Sequence, residues 1–143
     1  MITTEEIAIR VRQMLLDGME ITPEITDNPD YERTDYTKDG IVLVPRSITG
    51  EGSVRYGSIN VNIHVRDIPQ NVGRGKAIYH THFARLIELR KKAMDILQNH
   101  YEHGCGYNWS VGLINPPERE PNHNEHFVSF SLDIVVREKK LNN

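Results

Sequence analysis

Two stretches of this chain alternate apolar and polar residues so regularly that little except a sheet can hold them. From Ser58 to Arg66, Ile59, Val61, Ile63 and Val65 point one way, and Asn60, Asn62, His64 and Arg66 the other. From His126 to Arg137, Val128, Phe130, Leu132, Ile134 and Val136 alternate with Ser129, Ser131, Asp133 and Arg137. A period of two is the side-chain spacing of a pleated strand, and such strands need neighbours at their edges and a layer over the apolar face. The rest of the chain offers both. Ile41–Val44, opened by the turn Lys38-Asp39-Gly40, and Tyr107–Ile114 read as further strands. Pro45 makes a ladder position awkward, and Gly50 and Gly52 mark the next bend.

The covering layer comes from two helices. Over residues 4–17, Ile7, Val11, Met14 and Leu15 recur at helical spacing; Thr3 and Glu6 have capping-box spacing, and Gly18 offers a left-handed stop. A second helix is predicted from Lys76 to about Tyr101, with Leu86, Leu89, Ala93 and Leu97 as its buried stripe and Gly104-Cys105-Gly106 as its end. The order is thus helix, two or three strands, helix, two strands (α-β-β-α-β-β). Hairpins within each strand group imply an α+β fold, a mainly antiparallel sheet with both helices on one face. Ile63 and Phe130 belong inside, beneath the second helix. The connection "NPPEREPNHNE" reads as an exposed hairpin tip.

A chain of 143 residues suits one domain spanning 1–143. Between the first helix and the first strand lies an irregular acidic arm, about residues 20–39, with Pro23, Pro29 and a short extended piece around Met19–Ile21. Loops of that length often serve a function or an interface. The arm carries Glu20, Glu24, Asp27, Asp30, Glu32, Asp35 and Asp39 against Arg33 and Lys38. From His64 to Lys92 the balance inverts, with Arg66, Arg74, Lys76, Arg85, Arg90, Lys91 and Lys92 against Asp67 and Glu88. Segments of opposite sign can attract nucleic acid or each other, or can simply be two solvated faces. Hydrophobic residues at 38% and charged residues at 26% argue against wholesale disorder. The opening Met1-Ile2-Thr3-Thr4-Glu5-Glu6 does not read as a signal peptide, and charges interrupt every apolar run before it reaches bilayer length. The one cysteine, Cys105, has no internal partner and fits a reducing cytoplasm; between two glycines it reads as a small loop residue.

Catalytic and cofactor signatures are weak. "VGRGKAIYH" follows a strand and offers Gly73, Gly75 and Lys76, but it lacks the first glycine and the hydroxyl of a phosphate loop. A dinucleotide fingerprint would need a third glycine and a parallel sheet. Of the seven histidines, His100 and His103 have a spacing that can share a helix face, His123 and His126 repeat it in a loop, and His80 and His82 stand two apart. No H-E-x-x-H pattern and no G-x-S-x-G elbow occurs. Tyr79, Phe83, Tyr101, Tyr107 and Trp109 lack the clustered strand pattern of an RNA-binding sheet and read as core. No cofactor and no metal is expected.

The opening helix, "GSINVNIHVRDIP", "ARLIELRKKAMDIL" and the closing "EHFVSFSLDIVVRE" together give the chain an organisation that resembles the phage tail-terminator and tail-completion proteins. These are small α+β neck proteins that form rings where head meets tail. The resemblance covers most of Ile41–Arg137 and, more loosely, the first helix; it does not extend to the acidic arm. It implies a non-catalytic structural protein of the virion. It also implies a homo-oligomeric ring (hexamer or higher), other neck or tail proteins as partners, and non-specific contact with DNA in a channel; the interrupted apolar runs lead to the expectation of no membrane partner. Arg66, Asp67, Arg74 and Lys76 at the loop after the central strand, and Asp30, Glu32 and Asp35 in the arm, are the expected oligomer or channel-loop residues. Asp67–Gly75 is expected to be an assembly loop. Two other readings stay open. One is a small metal-dependent hydrolase using His100 and His103, with His123 or His126; the other is a nucleic-acid-binding accessory protein using the basic helix.

Overall fold

The structure, a computed structural model, describes residues 1–19, 26–50, 52–71, 73, 75, 77–101 and 104–138. Helix α1 (Thr4–Gly18) starts at Thr3, whose hydroxyl accepts from the Glu6 amide. It buries Ile7, Ala8, Val11 and Leu15. Gly18 remains helical rather than left-handed. A Cβ there would press on Ile96 of the second helix at 3.0 Å, so this glycine lets two helices approach closely instead of stopping one.

Strands β1 (Gly40–Pro45), β2 (Val54–Arg66), β5 (His100–Tyr101), β6 (Tyr107–Arg119) and β7 (Glu125–Arg137) form one antiparallel sheet in the order β1-β2-β7-β6-β5. Register fixes its apolar face: Ile63 stands between Ile41 and Val128, and Val61 between Leu43 and Phe130. Helices α1 and α2 (Phe83–Leu97) cover that face, and their buried residues join those of the sheet in a single core. The fold is α+β, and Ile63 and Phe130 are fully buried, as the alternation requires. Trp109 completes the core and donates its indole N–H to the Leu97 carbonyl, capping the end of α2. No helix among the described residues is long and apolar enough to cross a membrane.

Three expected element bounds need correction. The second helix is shorter at both ends, because residues 77–80 are a strand, β4 (Ala77–His80), paired with β3 (Ile68–Asn71) in a separate two-stranded ribbon. Gly73 and Gly75 between them take positive φ, which allows the chain to double back, and the helix begins only where the His82 imidazole accepts from the Arg85 amide. At its other end Gln98 turns left-handed and His100–Tyr101 join the sheet. The segment Asn115–Arg119, expected in a hairpin tip, is also strand. Pro116 and Pro117 fall where the β6–β7 register shifts, on a stretch of β6 with no strand on its far side.

The two long edges of the sheet are closed by different means. Along β1 the arm lies alongside as backbone: Asp30 N donates to Ile41 O, and Leu43 N donates to Asp30 O. Along β6 side chains do the work. Asn99 accepts from Val111 N, and Arg90 donates to Asn115 O, beside two prolines that have no N–H.

Candidate functional site

Antiparallel pairing brings the end of β2, the start of β7, the start of β1 and the start of α2 to one end of the sheet. Three carboxylates are buried there, each gripped by residues distant in sequence. Glu125, 1% exposed, accepts from Arg33 Nη2 and from His64 Nδ1, both at 2.8 Å. Burial pushes this acid up, but the hydrogen bonds from His64 and Arg33 and the Arg33 charge outweigh it, so its pKa falls below the ordinary glutamate value. Asp39 accepts from the Arg66 amide at 3.0 Å and from the guanidinium groups of Arg66 and Arg85, both at 3.3 Å. Arg85 continues to the Thr26 hydroxyl at 2.7 Å, and Arg66 to the Thr37 carbonyl at 2.6 Å. Asp67 accepts from His126 Nδ1 at 2.6 Å, while its own amide donates to Asn124 O.

The local backbone makes this possible. Gly40 leaves room for Arg33, since a Cβ at that position would collide with the guanidinium. Arg33 then lies 5.3 Å from the Tyr36 ring centre, and Tyr36 stacks on His123. Among the described residues no buried side-chain nitrogen or oxygen lacks a hydrogen-bond partner. Beside this cluster an open cleft of about 690 Å³ is bordered by Tyr36, Arg66, His82 and His123, with Pro69 and Tyr79 of the β3–β4 ribbon on its other wall.

The cluster contains shapes that resemble chemistry. Thr81, His126 and Asp67 form a hydroxyl–imidazole–carboxylate series. Yet the Thr81 hydroxyl lies 3.2 Å from Nε2 and 3.4 Å from Nδ1, nearly equidistant from the two and therefore off the Nε2 lone pair. A general base needs the proton in line. His64, Glu120 and Glu125 hold ligand atoms within 4.8 Å of one another. Both Glu125 oxygens are already engaged, and a cation there would meet the Arg33 guanidinium. The arrangement is suited to clamping segments together.

The sequence-derived residues divide accordingly. Arg66 and Asp67 enter the clamp, and Asp67 is buried rather than at a loop surface. Asp30 pairs through its backbone with β1. Asp35 forms a local turn with Thr37, whose hydroxyl hydrogen bond holds its carboxyl below the ordinary range. Glu32 is exposed. Arg74, Lys76, His103 and the first part of the arm lie outside the described residues. His100 stacks on Trp109, which pairs with Ile134; His126 stands eight residues earlier in β7, about 27 Å away at strand rise. His100 cannot therefore share a metal with His126, and His123 is stacked on Tyr36 at that same distant end. His64, expected on a polar outer face, is buried. The acidic and basic segments meet within one chain, at Asp39 with Arg66 and Arg85. On the basic helix Arg85 bonds Asp39, Arg90 donates to the Asn115 carbonyl, and Lys92 pairs with Glu88 at the surface.

What sequence reasoning missed most is Glu125 with Arg33 and His64. The one available signal was a charge, Glu125, at the first position of an otherwise regular strand. No protein-family model matches the chain, and a comparison with curated proteins finds no match.

Proposed function

We propose that this chain is a structural, non-catalytic subunit of a phage virion, forming a ring at the head–tail connection as a tail-terminator or tail-completion protein. The observation that carries the assembly part of this reading is the β3–β4 ribbon. Ile68, Pro69, Gln70, Ala77, Ile78, Tyr79 and His80 are all exposed, and among the described residues the ribbon has no third strand. A two-stranded ribbon with neither face packed is marginal in water. Ile68, Ile78 and Tyr79, each 45–48% exposed, are residues that an isolated subunit gains nothing by presenting. A partner that covers them completes the ribbon. The clamp at its root supports the same reading: its buried carboxylates are spent on holding the arm, α2 and the hairpin root together, which is positioning work. The neck location and the contact with DNA in a channel rest on the resemblance in element order.

Native mass spectrometry of the purified protein, followed by imaging of the particle, tests the proposal. A closed ring of six or more copies with an axial channel is expected. A monomer at all concentrations that turns over a substrate with bound metal would overturn it.

A further inference from the structure

We infer that the surface receiving the ribbon is on a second copy of this chain, at the seam between α2 and β6. This rests on the ring reading and adds to it the identity of the contact. The sheet cannot grow through either long edge, because the arm closes β1 and side chains with prolines close β6. Contact between copies must then use side-chain surfaces. On α2, Phe83 is 59% and Ile87 50% exposed on one stripe with Arg90. Arg90 donates to Asn115 O at 2.8 Å, which sets that stripe beside Ile114, itself 48% exposed although its strand partner Phe130 lies in the core.

The two surfaces match in kind and length. On the ribbon, Ile68 and Ile78 share a face with the Gln70–His80 hydrogen bond, which pairs the amide oxygen with Nε2 and lowers the cost of covering that face. From first to last residue, a four-residue ribbon strand extends about 10 Å, and the stripe from Phe83 to Arg90 about 10 Å. Because ribbon and seam are different patches, pairing one with the other is heterologous, and it covers both on every copy. A foreign partner on the ribbon would leave the seam bare.

The test uses the full chain with Cys105→Ser. Ile78→Cys and Ile87→Cys are placed on separate chains, mixed, and oxidised. Both positions are half exposed, and unchanged circular dichroism and melting confirm the fold. The expected result is a cross-linked dimer in the mixture and none in either variant alone. In parallel, Ile87→Asp should reduce the native mass to that of one 16.5 kDa chain. A native oligomer that gives no mixed cross-link and survives Ile87→Asp would overturn the seam while leaving the ring standing. A wild-type chain that stays at single-chain mass at every concentration would overturn both.

Discussion

The root of the hairpin and its ribbon meet at Asp67 and Ile68, yet the two regions are built on opposite terms. At the root, Asp39, Asp67 and Glu125 are withdrawn from water and each is held by at least one cation or imidazole. In the ribbon every described side chain is exposed and the two strands have only each other. Buried charges cost several kcal/mol to desolvate and are retained where geometry must be fixed. An unpacked ribbon costs little to leave unfinished. The contrast is that of a rigid mount carrying an incomplete ribbon: the chain determines where the ribbon projects, and in the proposed assembly a neighbour keeps it ordered.

On that division, damage to the mount should appear in stability and damage to the ribbon in assembly. The largest loss belongs to the shared core. Phe130→Ala should cost about 3–5 kcal/mol in urea unfolding, a yardstick for the rest. Glu125→Gln should approach it, at about 3–5 kcal/mol, because it leaves the Arg33 guanidinium buried without its counter-charge. A loss under about 1 kcal/mol would mean that the root is not a clamp. Gly40→Ala should cost about 1–3 kcal/mol by driving Arg33 from its place, and combining it with Glu125→Gln should cost less than the sum, since both act on one pair.

Acid should loosen the mount selectively. The folded-state pKa of Glu125 lies below its unfolded value, so its stabilisation is complete above roughly pH 4.5 and declines as pH falls from there through the folded pKa. Melting followed from pH 6 downward should show a slope that Glu125→Gln reduces; equal slopes would remove Glu125 from the account. The smallest change in stability is expected in the ribbon. Ile78→Ser should shift unfolding by no more than about 0.5 kcal/mol while lowering the native mass. A variant that loses stability but keeps its assembly would reverse the comparison.

The same contrast explains what could be read from the sequence. Ile59, Val61, Ile63 and Val65 declare their face by alternation, and Leu86, Leu89, Ala93 and Leu97 by helical spacing; all are buried in the core. Such signals are local, and burial enforces them. Residues 77–80 gave no such signal, because the ribbon has no buried face to imprint a period on it, and its strand character comes from pairing with residues 68–71. The clamp was hidden for another reason. Arg33 and Glu125 are 92 residues apart, His64 and Glu125 61, and Asp39 and Arg85 46, so only the strand register brings them together. Arg66 and Asp67 were singled out as surface charges at a loop; the pairing shows them turned toward Asp39 and His126.

Amide hydrogen exchange compared between the dilute monomer and the assembled protein tests the central contrast most directly. The account predicts that the amides of Arg66 and Asp67 at the root are protected in both forms, while those of the ribbon, Ile68–Asn71 and Ala77–His80, exchange fast in the monomer and become protected on assembly. Ribbon amides as protected in the monomer as those of the root, or still exchanging fast in the assembled form, would contradict it.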